Sequence, residues 1–173
     1  MYKRLVLVLA LSWSAGQGLT YAEGTFIARV GQSGEFLEIE DQNTGQIVKD
    51  YLPLHRSGKI RYFSVGVGVE ERRAEYPPFP LKLVFTAGGK PYLTGVDVTI
   101  QPLTGETAIT ISREQIEGPW LFVDLPQGTY DISALYGGLQ QVLKGVKVVS
   151  GKQKTVYLRW ANDTGAMVKM PDE

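Results

Sequence analysis

Catalysis or ligand binding needs a nucleophile, a base, a metal set or an aromatic platform, and this chain offers few residues of those types. Its one histidine is His55. A Ser-His-acid triad also needs a serine in a nucleophile-elbow context, and no serine here has one. A zinc site takes three or four nitrogen, sulfur or carboxylate ligands, so a lone histidine cannot seed one. With no cysteine there is no thiolate ligand, no cysteine nucleophile and no disulfide framework. His55 therefore reads as an ordinary polar surface or loop residue. Glu70 and Glu71 with Asp124 suggest calcium binding or acid/base work. Neighbours on a strand point to opposite faces, however, so the two glutamates converge only if a bulge re-aims one. Glu70-Glu71-Arg72-Arg73 is expected instead to blunt an exposed strand end. Val65-Gly66-Val67-Gly68 lacks the lysine-serine pair and the following helix of a phosphate loop, and reads as strand glycines close to another backbone or ring. Tyr92 and Tyr136, beside turns, are the candidates for ligand contact, whereas Trp120 sits among apolar neighbours and reads as core. No catalytic residue, cofactor or metal is expected.

The elements that would carry these residues are strands. Leu81, Leu83 and Phe85 alternate with Lys82, and Val96, Val98 and Ile100 with Asp97 and Thr99. Tyr130, Ile132, Ala134 and Tyr136 alternate with Thr129, Asp131 and Ser133, and Val156, Leu158 and Trp160 with Thr155, Tyr157 and Arg159. This two-residue period marks strands with one buried face. In Trp120 to Leu125 both alternating sets are apolar, which predicts a central strand covered on both sides. Gly88-Gly89, Leu103-Thr104-Gly105, Gly118-Pro119, Pro126-Gln127-Gly128, Gly137-Gly138 and Ser150-Gly151 supply turns at short intervals. Ser112 and Gln115 have capping-box spacing, which allows one helical turn before Gly118-Pro119 stops it. The expectation is an all-β, antiparallel β-sandwich. Phe36 to Glu40 and Gln46 to Asp50 flank a long turn and read as a hairpin, expected to add edge strands. Ala74 to Pro80, with three prolines, must be extended and poorly paired.

Met1-Tyr2-Lys3-Arg4 followed by apolar Leu5 to Leu11 has the layout of a secretory signal, too short to span a membrane. Cleavage is expected after Ala22. The resulting organisation is a signal segment at 1–22, N-terminal strands or a hairpin at 23–59, a sandwich domain at 60–160 and a tail at 161–173. Eighteen basic and eighteen acidic residues balance, so no long-range field draws the protein to nucleic acid. The destination expected is periplasmic or secreted, with no membrane span in the mature chain.

Leu125-Pro126-Gln127-Gly128-Thr129-Tyr130, preceded by Gly118-Pro119-Trp120-Leu121-Phe122-Val123, resembles a carboxypeptidase regulatory-like domain of the transthyretin-like (prealbumin-like) class. The signature has a physical sense: Pro126 and Gly128 turn the chain, and Tyr130 enters the core with its hydroxyl free to meet backbone. Ser64 to Arg72, Leu81 to Phe85, Gly95 to Ile100 and Leu158-Arg159-Trp160 extend the resemblance over residues 60 to 160, to short exported bacterial proteins built on that domain. The resemblance implies a transthyretin-like or immunoglobulin-like sandwich, with Trp120, Pro126, Gly128 and Tyr130 as fold signature. The hydrolase branch of the class uses more than one histidine and a characteristic C-terminal tetrapeptide, and this chain has neither. Three functions compete: an exported module that binds a protein partner through loops or an edge strand, a carbohydrate-binding module, and a small hydrolase with His55 as base.

Overall fold

The computed structural model describes residues 25–88, 93–105 and 107–161. The predicted leader and nearly all of the tail lie outside them. Thirteen strands follow in chain order: β1 (Phe26–Val30), β2 (Phe36–Asp41), β3 (Gln46–Pro53), β4 (His55–Ser57), β5 (Ile60–Val65), then a short helix α1 (Val69–Arg73), β6 (Ala74–Glu75), β7 (Leu81–Ala87), β8 (Asp97–Pro102), β9 (Ile109–Ile111), β10 (Trp120–Val123), β11 (Gly128–Tyr136), β12 (Leu139–Val148) and β13 (Lys154–Trp160). The protein is all-β. Its strands form three sheets, an outer one ordered β3-β2-β1-β6, a middle one ordered β13-β7-β10-β5-β4 and a far one ordered β12-β11-β8-β9.

Two separate cores explain the layering. The larger lies between the middle and far sheets and joins Leu81, Leu83, Phe85, Leu121, Val123 and Leu158 of one to Val98, Ile100, Ile111, Ile132, Ala134 and Val148 of the other. The smaller lies on the opposite face of the middle sheet, where Phe63, Val65 and Phe122 meet Ala28, Leu37, Ile39 and Leu52 of the outer sheet. Alternation along β10 sends Leu121 and Val123 into the larger core and Phe122 into the smaller, so the central strand is covered on both sides as its sequence predicts. Phe63 and Phe122 stack at 4.8 Å, and Phe79 and Tyr76 close the ring cluster from the proline-rich segment. Only Ala74 and Glu75 of that segment pair, parallel to β1, because its prolines cannot donate to a ladder.

Several expectations are corrected here. The sheets are not wholly antiparallel, since β13 runs parallel to β7 from Lys154↔Leu81 to Trp160↔Ala87. The β2–β3 hairpin does not extend an edge of the main sheets but belongs to a third layer on the back of the middle one; only β4 adds an edge strand there. Glu70 to Arg73 is no strand end: it coils as α1, and Glu71 is buried with its carboxylate paired to Lys49 of β3. Gly66 and Gly68 are not strand glycines: the strand ends at Val65, Gly68 precedes α1 directly, and a Cβ on it would meet the Glu71 carboxylate. Trp120 is half-buried, with the Lys82 ammonium 3.5 Å above its ring; burial lowers the Lys82 pKa.

Candidate functional site

The sequence-predicted site residues do not come together. Tyr92 lies outside the described residues. Tyr136 is buried, not exposed beside its turn, and packs edge-on against Trp160 at 5.9 Å, because it falls on the inward phase of β11. His55 stacks on Tyr62 at 5.4 Å, and no serine or carboxylate among the described residues hydrogen-bonds it. Asp124 pairs with Arg61, accepting from Nε at 3.0 Å. Among the described residues no three histidine, aspartate or glutamate side chains gather as a metal set, and no helix is long and apolar enough to cross a membrane. Tyr130 behaves as its sequence suggests: its hydroxyl donates to the Pro126 carbonyl at 2.8 Å, and Gly128 leaves room for the ring. Beside that corner, Ile60, Pro102, Ile109, Leu125 and Pro126 line a cleft of ≈ 420 Å³ in which Lys59 is the one charged side chain among the described residues.

The stronger site is one that no motif in the sequence marks. It lies where the two main sheets end, between the edge strands β12 and β13. At one end the gap between these strands is shut by polar bonds, Gln141 Nε2 donating to the Arg159 carbonyl at 2.6 Å and Trp160 Nε1 to the Leu139 carbonyl at 2.9 Å. At the other end the chain turns through Val149 to Lys152. Between these closures lies an open groove of ≈ 480 Å³ lined by Leu143, Val146 and Val156 with Lys144, Lys147 and Lys154.

A β-bulge makes this groove. Tyr130 faces Val146 and Ile132 faces Leu143, so Lys144 and Gly145 together oppose the single residue Asp131. Gly145 takes a left-handed φ of 68°, and its N–H donates to Asp131 Oδ1 at 2.8 Å, which fixes the extra residue. In an unbroken strand residues 143 and 146 would face opposite ways. The bulge turns both inward, and with Val156 of β13 they pack against the larger core while staying partly open to water.

Charge sets the groove apart from the other edges. Residues 139–160 carry Lys144, Lys147, Lys152, Lys154 and Arg159 and no aspartate or glutamate. All five are exposed, and none of them forms an ion pair among the described residues. Elsewhere among the described residues Arg29, Lys49, Arg61 and Arg113 are matched by carboxylates, while cations without an ion pair, such as Lys59 and Lys82, are scattered rather than gathered on one edge. The Arg113 guanidinium and backbone N–H, donating at 3.0 and 2.8 Å, hold Asp97 below the usual carboxylate range. Leu139, Val142 and Tyr157 are also exposed along the same two strands. The signals that could have found this edge were the acid-free basic run and the phase break at Gly145.

The chain matches no protein-family model, no curated protein and no solved structure.

Proposed function

We propose that this protein is a non-catalytic, exported interaction module of transthyretin-like sandwich type that takes a protein partner along the open edge of β12 and β13. One observation carries the reading: among the described residues, two neighbouring edge strands with no further strand on their outer sides flank an apolar-floored groove whose lysines form no ion pair. Unpaired strand edges are ready templates for an incoming chain, and proteins that do not use them usually cover them. The edge strand β3 of the outer sheet also exposes Ile47, Val48 and Tyr51. That edge fits the role less well, since its Lys49 is committed to Glu71 and its register is broken twice against β2. The apolar start of the chain supports export, and the resemblance around Trp120, Pro126, Gly128 and Tyr130 supports the sandwich type. Carbohydrate binding loses ground because Tyr136 is inside the core.

Photo-crosslinking residues placed at Val142 and Tyr157, with Ile47 and Leu103 as controls, test this reading in cells that make the protein. Discrete protein adducts at the first two positions and none at the controls are expected. Adducts confined to the controls, or none at any position, would remove it.

A further inference from the structure

We infer that the groove between β12 and β13 selects an extended peptide segment in which acidic and apolar residues alternate. The inference rests on the proposed partner-binding role of this edge and names the chemistry that the edge recognises.

The groove sets two requirements at once. Its floor is apolar, formed by Leu143 and Val146 on either side of the bulge and by Val156 opposite them. Its rim is cationic, with Lys144 and Lys147 on one strand and Lys154 on the other. A segment in strand conformation presents alternate side chains to opposite faces, so one phase can enter the groove while the other turns out to the ammonium groups. A strand with apolar residues on the first phase and carboxylates on the second satisfies both. A purely anionic polymer would leave the floor wet, and an apolar strand would leave three lysines uncompensated. Asp131, the nearest carboxylate in sequence register, already accepts the Gly145 N–H and forms no ion pair with Lys144. Lysines on edge strands commonly serve only to discourage aggregation. An apolar groove held open by a bulge goes beyond that need, because guarding an edge does not call for a concave floor.

The test uses the full ¹⁵N-labelled chain and three seven-residue peptides, in which valine alternates with glutamate, glutamine or lysine. The glutamate peptide is expected to shift amide signals of residues 143–147 and 154–157, at least tenfold more tightly than the glutamine peptide, while the lysine peptide leaves them unchanged. Raising the salt concentration should weaken the glutamate peptide, as screening dictates. The double substitution Lys144→Glu with Lys147→Glu should cost tenfold or more in affinity for the glutamate peptide and favour the lysine peptide. That exchange of preference also shows that the variant is folded. Equal binding of the glutamate and glutamine peptides would overturn the acidic preference yet leave the edge as a partner site. Four other outcomes would overturn the inference outright: polyphosphate shifting these amides when the peptide does not, a concentration-dependent shift from self-association alone, peptide shifts confined to other strands, and lysine variants that aggregate with no peptide response in the parent chain. If the peptide binds in the groove but crosslinks in cells form elsewhere, the selectivity stands and the cellular role fails.

Discussion

At Gly118 a single hydrogen in place of a methyl group lets two backbones touch: a Cβ there would lie 1.9 Å from the Val65 carbonyl oxygen. Backbone cannot swing aside as a long side chain can. Gly118→Ala is therefore expected to cost about 1–3 kcal/mol, as overpacked substitutions do, read as a lower urea midpoint with unchanged slope. A midpoint within error of the parent would show that the β5 and β10 backbones separate freely. Asp97 gives a prediction in pH. Its hydrogen bonds from Arg113 depress its folded pKa, so its contribution to stability is complete above the ordinary aspartate range and lost as pH falls through the depressed value. The stability difference between the parent and Asp97→Asn should be widest near neutrality and close on acidification. A difference independent of pH would exclude this linkage. The effect is modest, since both partners are partly open to water. The Tyr130 corner was legible in the sequence because turn chemistry and an apolar phase agree within six residues. The Glu71–Lys49 pair was not, because nothing local shows that a glutamate next to an arginine pair will coil inward to meet a lysine from another layer.

Among elements, β10 and β12 mark the two limits of what a pattern can say. β10 was readable as a covered strand because both of its phases are apolar, and each phase does reach its own core. β12 was not readable as a site. Its inward residues Gln141 and Leu143 keep one phase, Gly145 shifts it, and Val146 and Val148 resume on the other, so a strict two-residue period finds no strand face there. The outer sheet was hidden for a different reason. Alternation shows which face of Leu37, Ile39 and Leu52 is apolar but not which surface covers it, and the sequence favoured the edges over the back of the middle sheet. The two-core arrangement predicts that damage on one side of β10 stays largely on that side. Phe122→Ala, at a cost of about 3–5 kcal/mol, should lower amide exchange protection first in β1, β2 and β3. Leu121→Ala should instead lower it across β8, β11 and β13. Equal loss across all three sheets in both variants would mean that the layers unfold as one unit.

For the whole molecule, a balanced formal charge conceals a separation. The stretch 139–160 holds five cations and no anion, so the remainder of the chain carries a matching acidic excess. The protein should therefore be retained on a cation-exchange surface at low salt and pH 7 despite its zero net charge, through the β12–β13 face. Replacing Lys144, Lys147, Lys152, Lys154 and Arg159 by glutamine should abolish retention. A fivefold variant that still binds would place the basic face elsewhere. The middle sheet borders on β13, which lies parallel to β7 although β8 to β12 intervene between them. Until that strand arrives, Leu81 to Ala87 has no neighbour on one side and the larger core lacks Leu158 and Trp160. Such a distant pairing carries a loop-closure cost that is met late, which makes folding slow. A chain cut short before Lys154 would therefore leave one margin of the middle sheet bare.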